Sequence, residues 1–205
     1  MSKAGKVSFL FILPALIGYC LIRVTPMISS FYYSFTDWNG LSLKARFIGL
    51  NNYMKLFRDD DVINSIVVSL IFVAVSIVFI NVLAVLFAVL LQRTGKLIGV
   101  YRSILFLPIV ISPVAVAYIW RSMYSYDGLF NTLLKALHLT SKHIGWLTDK
   151  DLALLSVIIV NIWRNTGFHM VIILAALMTI PKALYESAEI DGCSAWNRFR
   201  YITLP

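Results

Sequence analysis

Apolar residues in this chain fall in long runs rather than in the narrow stripes of a soluble helix. Four runs stand out, at 7–24, 62–91, 104–123 and 152–180, separated by segments rich in Asp, Lys, Arg and Gly. A helix needs about 20 mostly apolar residues to cross the hydrocarbon core of a bilayer. The pattern therefore predicts an all-α, polytopic membrane protein, a helical bundle in which this chain supplies four crossings. The run at 62–91 would be about 45 Å long as a helix, more than the core is thick, so it must tilt or project. Its Ser65, Ser69, Ser76 and Asn81 read as helix–helix hydrogen-bonding residues. Pro108 and Pro113 predict a kink in the third run, tolerated where neighbours satisfy the freed carbonyls.

Composition sharpens this picture. Of 205 residues 60% are hydrophobic and 14% charged, more apolar than soluble domains, in which about half the residues are. The net charge of +8 invites a nucleic-acid reading, but no basic soluble module lies between the runs, so no nucleic-acid partner is expected. Loops on an anionic membrane account for the charge. Cys20 lies in the first apolar run and Cys193 in a polar segment, which indicates neither a disulfide framework nor a metal site. No small-x-small cleavage pattern follows the first run, so it reads as a retained signal anchor, with Arg23 snorkelling and Phe31, Tyr32, Tyr33 and Trp38 as an interfacial belt just beyond. Lys and Arg divide eight to seven between the two sides, which decides little; the cluster Arg93, Lys96 and Arg102 favours a cytoplasmic second loop and hence a cytoplasmic N-terminus. "FIGLNNYMKLFRDD" and "YDGLFNTLLKALHL" in the outer loops predict short amphipathic helices.

The end of the chain departs from this pattern. In "IPKALYESAEIDGCSAWNRFRYITLP" Pro181 opens a helix, Glu186 and Glu189 are expected in its first turns near the positive dipole end, and Gly192 breaks it. Trp196, Phe199 and Ile202 then recur every three residues on one face of a second helical piece. The pattern Glu186-Ser187-Ala188, two residues, Asp191-Gly192-Cys193, then Phe199-x-x-Ile202-x-Leu204-Pro205 resembles the EAA loop of binding-protein-dependent ABC importer permeases. "FIGLNNYMKLF" and "SFTDWNG" are similar to the sugar-permease branch, the first permease of the maltose and glycerol-phosphate importers, so the resemblance spans essentially the whole chain.

That resemblance implies a type I importer core with six crossings, of which four are present here, so a fragment or truncated product is expected. It implies a cell-membrane subunit that forms half of a carbohydrate path in a heterodimer with a second permease. An extracytoplasmic solute-binding protein and separate ATPase subunits complete the assembly. The loop at 181–205 would be cytoplasmic and couple to the ATPase through Glu186, Ser187, Ala188, Asp191, Gly192, Trp196 and Phe199. Ser187 and Cys193 stand where the motif has alanines. No cofactor is expected, and the chain should not itself hydrolyse ATP, since Thr94-Gly95-Lys96 lacks the first glycine and the Ser/Thr of a phosphate loop. An ion-coupled carrier is the alternative from another class, but it would carry acids within its spans, and none lies in the four runs. A membrane enzyme would need a histidine or acid cluster, and His138 and His143 read as solvated.

The fourth run holds "VNIWRNTGFHM" at 160–170. A charge facing lipid at this depth would cost about 2.5–3.5 kcal/mol, so Arg164 is expected to face the interior or a wet cavity, with Gly167 marking a local unwinding. Arg164 has a purely structural reading too, as a group that satisfies carbonyls freed by such a break. The resemblance implies instead that Arg164, Asn165 and Phe168 contact the sugar, leaving Trp163 and His169 to packing.

Overall fold

The computed structural model describes residues 3–42, 44–92, 97–140 and 142–205. The expected basic cluster is thus only partly visible: Arg93 and Lys96, with Thr94 and Gly95, lie outside the described residues. Among the described residues the regular structure is helical, apart from one isolated antiparallel bridge between Thr36 and Phe47. The chain forms two compact units, Met1–Val67 and Val68–Pro205.

In the first unit α1 (Lys3–Tyr19) continues through a π-helical turn (Cys20–Val24) into α2 (Thr25–Tyr33). The stretch Phe11–Tyr33, 23 residues, is long and apolar enough to cross a membrane. Helix thus continues past Val24, where the apolar run thinned, and Phe31, Tyr32 and Tyr33 are helical rather than part of the following loop. Pro26 is accommodated at the start of α2 directly after the π-helical turn, where the Thr25 N–H reaches back five residues to the Cys20 carbonyl. The loop beyond is tied by Asn52, whose Nδ2 donates to the carbonyls of Ser34 and Thr36 at 2.9 and 2.8 Å, while Trp38 stacks on Tyr33 at 4.1 Å. Of the amphipathic segment expected here, Asn51–Leu56 is helical (α3).

Helix α4 (Asp60–Leu91, 32 residues) leads out of this unit. The second unit adds α5 (Ile98–Val110), α6 (Pro113–Met123), α7 (Leu129–Ala136), α8 (Lys150–Leu177), α9 (Lys182–Ile190) and α10 (Ala195–Arg198), which ends in a π-helical turn, Phe199–Thr203. Ser76, Ile80, Ala84 and Ala88 are buried at every fourth position of α4. Ala84 and Ala88 pack with Met170, Leu174 and Leu177 of α8 to form the apolar centre of the unit. Small residues on one helix let a neighbour approach closely, which is how membrane helices gain packing contact without a hydrophobic drive.

Two of the polar residues of α4 bond along their own helix. Ser65 and Asn81 donate to carbonyls of their own helix, Asp61 at 2.7 Å and Ile77 at 2.8 Å, and the buried Ser76 hydroxyl has no hydrogen-bond partner. For Ser65 and Asn81 the carbonyl four residues back along the helix lies within reach of the side chain, so the bond closes locally.

The third run is not a kinked single helix. Helices α5 and α6 meet at 97°, with Ile111 and Ser112 extended between them. Pro113 explains the break: it disfavours helical backbone at Ser112 and is itself suited to the first position of a new helix. Pro108 stays inside α5, buried. Arg102 closes the other end of α5 by donating through Nη2 to the Leu91 carbonyl at 2.6 Å, where a cation also meets the negative end of α4.

Helix α8 is continuous from Lys150 to Leu177, so Gly167 marks no unwinding. Its function is close approach. A Cβ built at Gly167 would lie 1.8 Å from the Leu105 carbonyl oxygen, so the backbones of α5 and α8 touch here. Because the obstacle is backbone, no side-chain rotation relieves it. Gly167→Ala is expected to destabilise the fold by about 1–3 kcal/mol through overpacking, read as a lowered thermal midpoint in detergent. Gly99→Ala, where the added methyl meets open space, should leave the midpoint unchanged. Equal tolerance of the two substitutions would refute the close approach.

Candidate functional site

Two places in the second unit combine polar chemistry with defined geometry. The first is the hairpin formed by α9 and α10. Gly192 adopts φ +70°, its N–H donates to Glu189 at 3.1 Å, and the Cys193 N–H donates to Ala188 at 2.8 Å. This bond pair is the left-handed helix cap that glycine adopts without steric cost. Ser194 then starts α10, its hydroxyl accepting from the Asn197 N–H at 3.3 Å.

The two arms are clasped by Glu189 with Arg198 at 3.6 Å, and by the hydroxyls of Tyr185 and Thr203 at 3.1 Å. Helix α9 begins at Lys182, so Glu186 falls in its second turn and Glu189 in its last; neither is in the first turn, where the dipole favours an acid most. Of the seven coupling candidates, Glu186, Ser187, Asp191, Gly192 and Trp196 are exposed, while Ala188 and Phe199 are half-buried. The Trp196 and Phe199 rings lie 5.8 Å apart, and Trp196 is 65% exposed.

The second place is a cavity of about 390 Å³ between α6 and α8. The right-angle break at Pro113 carries Trp120, Arg121 and Tyr124 of the α6 end to a wall shared with Asn161 and Arg164 of α8. Trp120, Tyr124, Phe130 and Trp146 form one aromatic cluster, with centroids 5.0–6.0 Å apart, and Trp163 meets Trp120 edge-on at 5.4 Å. Burial pushes the Tyr124 phenol above the usual tyrosine range, so it remains a neutral donor to the Ser156 carbonyl at 3.2 Å.

Arg164 lines this cavity; Asn165 and Phe168 are not among its lining residues. Asn165 uses its amide nitrogen on the Asn161 carbonyl and Oδ1, both at 2.8 Å, and Phe168, one turn beyond Arg164, is 44% exposed. His169 shares a hydrogen bond with the Asn165 carbonyl at 3.0 Å. The sequence reading missed Trp120 and Arg121, although an Arg two residues before the end of a predicted span was a visible signal.

A buried asparagine holds the loop beside this cavity. Asn131 on α7 donates to the carbonyls of Ser125, Tyr126 and Ile144 at 3.3, 3.1 and 3.0 Å and accepts from the Ile144 N–H at 3.0 Å. His143, read from sequence as solvated, stacks on Tyr126 at 3.5 Å and donates through Nδ1 to the Tyr126 carbonyl, while Lys135 donates to its Nε2.

An all-α chain with several membrane-length helices and a clasped polar hairpin reads as a polytopic helical membrane protein. The profile of the binding-protein-dependent transport system inner membrane component family matches residues 81–205, and the chain belongs to that family. It is 34% identical to the lactose transport system permease protein LacF of Rhizobium radiobacter, over 96% of this chain and 66% of that one. It is 32% identical to the trehalose/maltose transport system permease protein MalF of Thermococcus litoralis, over 99% and 68%. Among solved structures it superposes on a bacterial ABC transporter involved in the import of the acidic polysaccharide alginate. There the TM-score is 0.84 at 28% identity, covering 99% of this chain and 68% of that one. It likewise matches that transporter in complex with an alginate pentasaccharide-bound periplasmic protein, with TM-score 0.85, 28% identity and coverages of 99% and 67%. The chain thus spans about two thirds of the length of these relatives.

Loss of Asn131 would remove the bonds that tie residues 125–126 to Ile144 and leave a gap where its buried side chain sits. Asn131→Ala is therefore expected to speed tryptic cleavage at Lys135 and Lys142 several-fold in limited proteolysis, and unchanged cleavage would contradict its structural role.

Proposed function

We propose that the chain is the membrane permease subunit of an ATP-driven importer for carbohydrate. It supplies half of the translocation path and pairs with a second, related permease. An extracytoplasmic solute-binding protein delivers the sugar, and separate ATP-binding cassette subunits hydrolyse ATP. The N-terminus and the hairpin at 181–205 lie in the cytoplasm.

One observation carries this reading: the α9–α10 hairpin is held by a glycine cap and two side-chain clasps yet leaves Trp196 largely exposed. An aromatic anchor on a rigid polar support is what a protein partner can receive in a pocket, since little side-chain entropy remains to be lost. Glu186, exposed one turn before the clasped Glu189, is free to meet a basic residue of the ATPase. In the path itself Arg164 and Phe168, one turn apart on α8, face the passing sugar. Asn165 acts on it through Asn161, whose carboxamide it holds.

The test is reconstitution of the permease with its neighbouring-gene partners in proteoliposomes. Gly192→Val forces a β-branched residue into φ +70°, a strain of about 1–3 kcal/mol, and Glu186→Lys reverses the charge offered to the ATPase. Both are expected to lower ATPase co-purification and sugar uptake at least tenfold. Arg164→Ala and Phe168→Ala should lower uptake while ATPase association stays intact. Full uptake and association in the hairpin variants would overturn the coupling role.

A further inference from the structure

The α6–α8 cavity has a charge imbalance. Arg121 and Arg164 both line it, and no Asp or Glu does. Among the described residues the one ion pair is Glu189 with Arg198 in the hairpin, so neither cavity arginine has a carboxylate partner. Arg164 stands at the middle of the 28-residue α8, and its Nε is shielded from solvent without a hydrogen-bond acceptor.

The remaining polar groups of the wall do not reach it. The Tyr124 hydroxyl donates to the Ser156 carbonyl, the Ser156 hydroxyl to the Trp146 carbonyl, and the Asn161 Oδ1 accepts from Asn165, and none of these oxygens bonds Arg164 Nε. What faces the space is two guanidiniums, Arg121 exposed and Arg164 half-buried, in a largely apolar wall. A guanidinium that has lost water gains most from a charged acceptor, and its planar fork fits carboxylate or phosphate oxygens. Trp120 and Tyr124 line the same space and give flat apolar surface for a sugar ring.

Resting on the reading of the chain as a carbohydrate permease, we propose that this cavity takes acidic saccharides. The anionic group is held by Arg121 and Arg164, and the sugar ring lies against Trp120 and Tyr124. Neutral sugars leave the two guanidiniums unpaired and bind more weakly.

Calorimetric titration of the assembled importer in nanodiscs, without its binding protein, tests this with three probes: digalacturonate, the corresponding neutral galactose disaccharide, and glucose 6-phosphate. At low salt at least one acidic probe is expected to bind about tenfold or more tightly than the neutral disaccharide, with the advantage shrinking as salt is raised. The stronger of the two acidic probes identifies carboxylate or phosphate as the group recognised. Arg121→Gln and Arg164→Gln should each remove most of the preference, and Arg164→Lys should restore part of it, which a purely structural arginine would not do. Equal binding of neutral and acidic probes, or a preference untouched by both Gln variants, overturns the acidic class and leaves the carbohydrate reading standing. Binding of no saccharide at all counts against both.

Discussion

The contact of backbone on backbone between Gly167 and Leu105 is the constraint on which the second unit depends. With no side chain between them, α5 and α8 approach as closely as two helices can. That proximity fixes the seat from which α5 hands over to α6. On the same helix, Met170, Leu174 and Leu177 meet Ala84 and Ala88 of α4, so small residues recur wherever α8 is gripped. In lipid such fit is a main source of helix association, because apolar side chains gain nothing by leaving one apolar medium for another.

From that seat the break at Ser112 and Pro113 turns the chain through 97°. A straight helix would have carried Trp120, Arg121 and Tyr124 farther along the α5 axis. The turn instead brings them to α8 at Asn161 and Arg164, and the aromatic cluster with Phe130 and Trp146 seals the junction. The loop is held from within by Asn131, whose amide answers backbone groups from both sides of α7. The chain therefore builds its polar cavity by helix geometry, and within it the buried Arg164 Nε has no acceptor in reach.

The hairpin at the other end follows a different logic. Its shape is local: a glycine cap, a serine cap and two clasps between residues 9 and 18 apart in sequence. Nothing in it needs the rest of the unit to define the turn, which suits an element whose exposed aromatic face is available to another protein. The change in character is chemical as well, since hydrogen bonds and an ion pair hold the hairpin where apolar contact holds the helices.

The all-α class, the runs long enough to span a bilayer, the glycine turn of the hairpin and the family motif were legible in the sequence. They depend on composition and on spacings of a few residues, which act the same in any surroundings. The sequence did not reveal that Glu189 turns to Arg198, that Asn81 and Ser65 bond their own helices, or that α5 and α6 part at a right angle. Nor did it reveal that Arg164 shares a cavity wall with Arg121 of α6. Gly167 shows the difference most clearly. In sequence a mid-helix glycine reads equally as a break or as a contact, because both follow from the missing Cβ. Only the position of Leu105, 62 residues away along the chain and brought there by packing, decides that it is a contact.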